Sequence, residues 1–555
     1  MSQKDFYLAK IDKIAKESFN AEQKAIAKKI IEAADEKDLD AVWGLISQRV
    51  KIGFTFDEAP EVNHQAVAVV KENEKLFINS PSATNAIEHK LIIGENYDAL
   101  KNLLVTYVDS QGKGLIDVIY IDPPYNTEKS KEEGNNYKDE VEAKKFIYRD
   151  KFTRDGWLNM MNERLKLAKK LLSDKGVIFI SIDDNMQAYL KVLCDEIFGE
   201  ENFIDNLAVE INPKGRKNGR YISASYEYVL IYARNKNRCD KFKNIVPKKD
   251  DDWLTDENGK YSVGQRVLVG NCSNKVVLIA DSDKNYTVYF KEDAKLLKIE
   301  KNEKRKYNTE LLSQGYKVYQ SINDYDELIE NTYTQSKFEE LFENNNLIFN
   351  ENTIYDKDRS AFKQLKSMII AKEIKDAFDI KTESAGFICG RFDLRKVFKM
   401  PKNVGYVKML LSLFDKNDAI ILDFFAGSGT TGQAVMELND ENKVALKFIL
   451  VTNNENNIAT DITRERLYRV INGKGSKGEK IEWEYSKDKK SLTNNVVRVF
   501  DIKTENLTIA DIEKAEKIKV EAEKDFKKLN EKYKTKDDLD IYTQLASLNP
   551  QKSEK

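Results

Sequence analysis

Apolar residues follow two rhythms along this chain, and the changes from one to the other outline its architecture. Up to about residue 50 they recur three and four apart, as at Ile26, Ile30, Ile31 and Ala34, with lysines and glutamates between them. That spacing predicts helices with one apolar face. From about 86 to 205, short unbroken apolar runs take over at 91–93, 116–121 and 177–182. Runs of this length without alternation predict strands buried on both faces, as in a parallel sheet. Helical periodicity separates them. It is strongest over 157–172, apolar at Leu158, Met161, Leu165, Ala168 and Leu172, and returns over 184–197. Strands alternating with helices predict a parallel sheet covered on both faces.

Between 206 and 385 the pattern breaks into short strand-like pieces (226–233, 276–280, 286–290) among charged turns. The buried-strand pattern resumes at 386–475, with runs at 419–424 and 448–451. The expected organisation is therefore a helical extension at 1–85 and the first half of an α/β core at 86–205. A mixed α+β insertion at 206–385, the second half of the core at 386–475 and a mostly helical extension at 476–555 follow. In that last segment Ile512, Ala515, Ile518, Ala522, Phe526, Leu529 and Tyr533 step by three and four. They predict a helix with one narrow stripe that packs on the protein itself or on a partner.

Composition narrows the chemistry. At 555 residues the chain can bury more than one core. Its net charge is only -2, so a polyanionic partner needs a local basic face. The stretch 212–249 offers one, with Lys214, Arg216, Lys217, Arg220, Arg234, Lys236, Arg238, Lys241, Lys243, Lys248 and Lys249 opposed there by Glu227 and Asp240. Cys194, Cys239, Cys272 and Cys389 lie far apart and His64 and His89 are the only histidines. No zinc site, disulfide framework or other metal centre is expected, and the thiols read as free in a reducing cytosol. The longest apolar runs are strand-length, so no membrane span is expected, nor a signal peptide.

Two motifs follow predicted strands. Asp122-Pro123-Pro124-Tyr125 comes after the run at 116–121, and Phe425-Ala426-Gly427-Ser428-Gly429-Thr430-Thr431 after the run at 419–424. The second predicts a tight strand-to-helix turn. Gly427 and Gly429 allow positive φ and close backbone approach, and the helix N-terminus faces a ligand. No Gly-Lys-Ser/Thr ending makes it a triphosphate loop. The first motif suits an exocyclic aromatic amine, a poor nucleophile because its lone pair is delocalised. The Asp122 carboxylate and the Pro123 carbonyl can accept the amine's two hydrogen bonds, so that the lone pair points at a methyl donor. The Pro123-Pro124 pair stiffens the turn, and Tyr125 offers a face for a base pulled out of the stack. The absence of a Pro-Cys pair speaks against methylation at cytosine C5.

In these motifs the chain resembles the DNA amino-methyltransferases that use S-adenosylmethionine, in the beta class, where the catalytic motif precedes the cofactor motif and a target-recognition domain lies between. Within that class it is similar to the modification subunits of type III restriction–modification systems. Tyr148-Arg-Asp-Lys-Phe152, Trp157-Leu-Asn-Met-Met161, Arg164-Leu-Lys-Leu-Ala168, Gly176-Val-Ile-Phe-Ile-Ser-Ile-Asp-Asp184, Phe198-Gly-Glu-Glu-Asn-Phe203, Tyr226-Glu-Tyr-Val-Leu-Ile-Tyr232 and Asp423-Phe-Phe-Ala-Gly-Ser-Gly-Thr-Thr431 carry that likeness. The resemblance implies a Rossmann-like methyltransferase sheet in which 86–205 is the catalytic half and 386–475 the cofactor-binding half. The insertion would be the target-recognition domain. It further implies catalysis by Asp122, Pro123, Pro124 and Tyr125. Asp423, Phe425, Ala426, Gly427, Ser428, Gly429 and Thr430 would hold the cofactor, with Pro401, Lys402, Asn403 and Asn96 of Gly94-Glu95-Asn96. By the resemblance Tyr228 would line the base pocket, while Lys214, Arg216, Lys217 and Arg220 are expected to contact DNA because of the local positive charge. Many such enzymes carry an acid after the second cofactor strand, whereas this chain has Thr452-Asn453-Asn454. The implied function is adenine-N6 methylation of double-stranded DNA in the cytoplasm of a prokaryote, with a restriction subunit as partner and a homodimer as assembly. Cytosine-N4 methylation, a stand-alone enzyme and a catalytically silent DNA-binding subunit are the alternatives.

Overall fold

The structure is a computed structural model and describes residues 3–13, 21–39, 42–43, 62–80, 85–125, 154–210, 225–249, 252–268, 282–304, 306–370, 377–378, 402–480, 490–507, 511–535 and 540–548. The chain divides into two compact units, 1–58 and 59–555. In the first, helices α1 (Gln3–Lys13) and α2 (Ala21–Ala33) bury Tyr7, Ile11, Ala27, Ile31 and Leu39. Trp43 stacks on Tyr7 at 5.1 Å between ring centroids.

The second unit begins with β1 (Val62–Glu72), β2 (Ile87–Ile93), α3 (Asn96–Tyr107) and β3 (Ile116–Ile121). Next come α4 (Arg154–Leu171), β4 (Leu172–Ile182), α5 (Gln187–Phe198), β5 (Phe203–Glu210) and β6 (Tyr226–Ala233). The strand series 246–369 comprises β7 (Val246–Pro247), β8 (Leu254–Asp256), β9 (Gly259–Leu268), β10 (Tyr286–Lys291), β11 (Leu296–Lys301), β12 (Lys317–Tyr319), β13 (Leu347–Phe349), β14 (Ile354–Asp358), β15 (Phe362–Lys363) and β16 (Met368–Ile369). Helices α6 (Thr309–Ser313) and α7 (Gln335–Glu343) interrupt it. The chain then returns to the core through α8 (Val404–Leu411), β17 (Ile420–Asp423), α9 (Thr430–Asn442), β18 (Lys447–Thr452) and α10 (Glu465–Asn472). It ends with β19 (Asn495–Asn506), α11 (Ile512–Leu529), α12 (Ile541–Gln544) and β20 (Ala546–Leu548).

Among the described residues one sheet of eleven strands runs β16-β5-β6-β4-β3-β17-β18-β2-β19-β1-β20. From β4 to β19 the neighbours are parallel; β6 on one side and β1 on the other run antiparallel. Strand period two sorts the side chains onto two buried faces. Leu91, Val118, Tyr120, Val177, Phe179, Ile421, Phe448 and Leu450 share a core with α8, α9 and α10 through Val407, Leu410, Ala434, Val435, Leu467 and Val470. The alternate residues Ile92, Ile119, Ile121, Ile178, Ile180 and Ile449 are equally buried. The unbroken apolar runs are thus the signature of a sheet covered on both sides.

The flanks depart from the expected helical extensions. β1 and β19 enter the central sheet, β19 pairing in parallel with β2 from Asn495↔Ile87 to Asp501↔Ile93. Only a sheet partner satisfies the backbone of β2 on that side, and no local pattern announces a partner that far along the chain. The expected boundary at 206 falls inside β5, which pairs with β6 as a sheet strand. Between 246 and 363 lie small sheets, β11-β10-β12, β13-β14-β9-β8 and β15-β7. Val267, Tyr286, Val288, Phe290, Tyr319, Phe338, Leu347 and Ile354 form a core of their own there. The strand expected at 276–280 lies outside the described residues. The stripe of α11 buries Ala515, Ala522, Phe526 and Leu529 on the chain itself. The Tyr107 hydroxyl, for example, donates to the Leu529 carbonyl at 2.9 Å.

Candidate active site

Both motifs emerge at the carboxyl ends of β3 and β17, which are sheet neighbours. From β3 the chain crosses through α4 to β4 on one side; from β17 it crosses through α9 to β18 on the other. The two connections diverge and leave a crevice at the strand ends, the place where open α/β sheets bind ligands.

On the β3 side, Trp157 at the start of α4 donates its indole N–H to the Pro124 carbonyl at 2.6 Å and so pins the proline turn. The Tyr125 hydroxyl bridges two carboxylates, 2.8 Å from Asp122 Oδ1 and 3.1 Å from Glu227 Oε2. The Lys402 ammonium donates to Glu227 and to the Tyr125 hydroxyl, and lies 3.4 Å from Asp122 Oδ1. Asp122 keeps 29% of its side chain accessible, more than Lys402 at 18%. Burial raises its pKa, the Lys402 charge opposes this, and Glu227 adds to it. For Lys402 burial disfavours the charge, but Asp122 and Glu227 outweigh burial and hold its pKa above the ordinary lysine range. Behind the pocket the hydroxyls of Tyr120, Ser181 and Tyr406 form a buried chain, with steps of 3.2 and 3.3 Å.

On the β17 side the loop is held from within and from behind. Gly427 and Gly429 have φ of 49° and 79°, the left-handed region that glycine enters without penalty. Asp423 accepts from the Phe425 amide at 3.0 Å and from the Thr431 hydroxyl at 2.5 Å. Burial pushes its carboxyl up to about 7. The Thr463 hydroxyl donates to the Gly427 carbonyl at 2.6 Å. Buried Arg466 donates to Ser428 Oγ at 3.0 Å and to Thr430 Oγ1 at 2.8 Å. Asn96 ties a third strand end to the loop by donating to the Phe424 carbonyl at 3.0 Å, while Arg164 holds Asn96 and Glu95 in place. Asn403 caps α8 by accepting from the Tyr406 amide at 3.2 Å.

The expected residues therefore separate into distinct places. Asp122 and Tyr125 line one wall and the loop 423–430 the other. Lys402 joins the wall of Asp122 and Tyr125 through its ammonium, although its carbonyl accepts from Thr430 of the glycine loop at 3.4 Å. Asn96 and Asn403 act on backbone. Tyr228 faces Tyr226, 5.3 Å away between ring centroids. Strand alternation on β6 turns its neighbour Glu227, which the sequence did not single out as a site residue, toward Tyr125 instead. An acid inside the apolar run of β6 was the available signal. Arg164 stood in a motif that carried the family likeness but with no role attached, and Thr463 and Arg466 gave no signal beyond being polar residues after β18. Lys214, Arg216, Lys217, Arg220 and Pro401 lie outside the described residues, as does the segment 148–152. Further along the basic stretch, Arg238, Lys243 and Lys248 pair with Asp174, Asp415 and Asp358, so that part draws phosphate less than its composition suggests.

A type III restriction–modification enzyme Mod subunit of Escherichia phage P1, EcoPI, is 29% identical over 431 residues, 69% of this chain and 62% of that subunit. The type II methyltransferase M.KpnI of Klebsiella pneumoniae is 30% identical over 396 residues, 70% of this chain and 86% of that protein. The chain thus spans less than two thirds of the type III subunit but most of the type II enzyme. Among solved structures, PvuII DNA methyltransferase (cytosine-N4-specific) aligns with 70% of this chain and 89% of its own at 10% identity, with a TM-score of 0.33. Residues 4–112 match a family described as an uncharacterised conserved protein. Residues 116–487, which hold both motifs and everything between them, match the DNA methylase family model, and to that family the chain belongs.

Proposed function

We propose that this protein transfers a methyl group from S-adenosylmethionine to the N6 amine of an adenine flipped out of double-stranded DNA. It would do so as the modification and recognition subunit of a type III restriction–modification system. The observation that carries the reading is the pairing of Asp122 and the 423–430 loop on adjacent parallel strands at the point where the connections diverge. The relatedness to a type III Mod subunit supports the assembly.

The chemistry of the donor set fits the cofactor. A glycine-rich backbone turn with Phe425 follows β17, and the polar residues Thr452 and Asn453 close the neighbouring strand β18. Phe425, Ala426, Gly427, Ser428, Gly429 and Thr430 would hold it, and when bound it supplies an electrophilic methyl group. The protein's own residues do the rest. The crevice brings the amine to that methyl with little freedom left to lose. Asp122 and the Pro123 carbonyl accept the amine's two hydrogen bonds and favour a localised lone pair. Tyr125 presents a flat face to the base. An aspartate at the head of the motif favours adenine over cytosine N4. We further infer that the insertion at 206–385 reads base edges, that a restriction subunit and a second copy of the chain are the protein's partners, and that it acts in the cytoplasm. Among the described residues no helix is long and apolar enough to cross a membrane.

A second reading, an enzyme that modifies DNA without a restriction partner, is favoured by the coverage of the type II methyltransferase, 86% of that protein. The decisive experiment is long-read, modification-detecting sequencing of DNA from a methylation-deficient host expressing the chain, beside an Asp122→Ala control. N6-methyladenine on one strand of an asymmetric site, absent from the control, is the expected result. Cytosine-N4 methylation would move the assignment to the other amine, and unmodified DNA would overturn it.

A further inference from the structure

Glu227 is partly buried beside the catalytic motif yet belongs to β6, two strands away from β3, and its ion pair with Lys402 needs a reason. We propose that Glu227 is a positioning residue that holds the Lys402 ammonium off the Asp122 carboxylate, so that Asp122 stays open to the incoming amine. The inference rests on the methyl-transfer reading above.

The distances divide the ammonium unevenly. Lys402 Nζ makes close hydrogen bonds to Glu227 Oε2 and the Tyr125 hydroxyl but stands 3.4 Å from Asp122 Oδ1. Side-chain accessibility follows the same order, 13% for Glu227, 18% for Lys402 and 29% for Asp122, so Asp122 lies nearest the opening and Glu227 deepest. Glu227 sits on β6 in register with Val209 of β5, and its backbone is held by the sheet. The site needs such an anchor. A hydrogen bond from an ammonium to a carboxylate is stronger than one from a neutral aromatic amine. Left to itself, Lys402 would occupy the acceptor that the amine requires. Removing Lys402 is no remedy, because its charge offsets the burial of two carboxylates that share the Tyr125 hydroxyl. A lysine whose closest bonds go to Glu227 and Tyr125, with only a longer ion pair of 3.4 Å to Asp122, meets both demands.

The test is a double-mutant cycle on the full chain with duplex DNA and S-adenosylmethionine. Glu227→Gln keeps the size of the side chain and a neutral acceptor, and releases the ammonium toward Asp122. We expect kcat to fall about tenfold while KM for DNA and for the cofactor stays within about twofold. Adding Lys402→Met removes the competing ammonium and should bring kcat back to within about threefold of wild type. Thermal unfolding and calorimetric cofactor binding of each variant check that the fold is kept. A merely structural role for Glu227 predicts no recovery in the double variant. An active wild type with either an unimpaired Glu227→Gln or an unrecovered double variant overturns this inference alone. A wild type that methylates no DNA overturns the functional reading and this inference with it.

Discussion

Asp122 directly follows a strand whose residues are all buried, so its backbone is fixed by the sheet. Burial raises its pKa above the ordinary 3.8. Only the ionised form accepts hydrogen bonds on every lone pair, so transfer should fail as pH falls through that raised value. The acid limb of kcat against pH is therefore expected above the ordinary aspartate range. Lys402→Met, which removes the main opposing charge, should move that limb further up; a limb that stays put would separate Asp122 from catalysis. The motif itself was legible in the sequence because Asp-Pro-Pro-Tyr after a buried strand has few other uses. Glu227 was not, because its role depends on which face of β6 meets β3, and that is decided by pairing through β4.

At the scale of elements, the loop after β17 and the contacts among β2, β18 and β19 make separable predictions. Gly429 has φ 79°, and a Cβ there would stand 3.1 Å from Thr463 Cγ2. Gly429→Ala should cost about 1–2 kcal/mol in urea unfolding and weaken cofactor binding. His89 lies fully buried on β2, stacked on Phe448 of β18 at 4.0 Å. Its Nδ1 accepts from the Phe448 amide at 3.1 Å, so Nε2 carries the proton toward Asn495 of β19, 2.9 Å away. Burial lowers its pKa from 6.5 to about 4. The unfolded chain takes up this proton first, so the contribution is present above pH 6.5 and is lost as pH falls toward 4. The loss should reach about 2 kcal/mol relative to His89→Gln, measured as urea unfolding at pH 7 and pH 4.5. Equal pH dependence of the two proteins would refute it. As a sequence feature a lone histidine in a strand is only a core residue; that it binds three strands together was not legible.

For the molecule as a whole, the separate cores of the central sheet and the inserted domain imply separable stabilities. Phe338 is fully buried in the insertion and contacts Tyr286 at 5.6 Å between ring centroids. Phe338→Ala should destabilise that domain by about 3–5 kcal/mol. Cofactor binding at the central sheet should change little, as read by calorimetry beside domain-resolved hydrogen exchange. A matching loss of cofactor affinity would mean that the two cores unfold as one.

The amino-acid order by itself determined the parallel sheet, the insertion between its halves and the two motifs. Each rests on local information: a run of apolar residues the length of a strand, a fixed-φ proline pair, or glycines where φ must be positive. Tertiary structure decided what depends on partners far apart in the chain. It brought β1 and β19 into the sheet, set Asp122 beside the glycine loop, turned Glu227 to Lys402 and placed Arg466 behind Ser428. Hydrogen-bond pairing between strands is blind to sequence distance, and the strand period of two then settles which side chains meet.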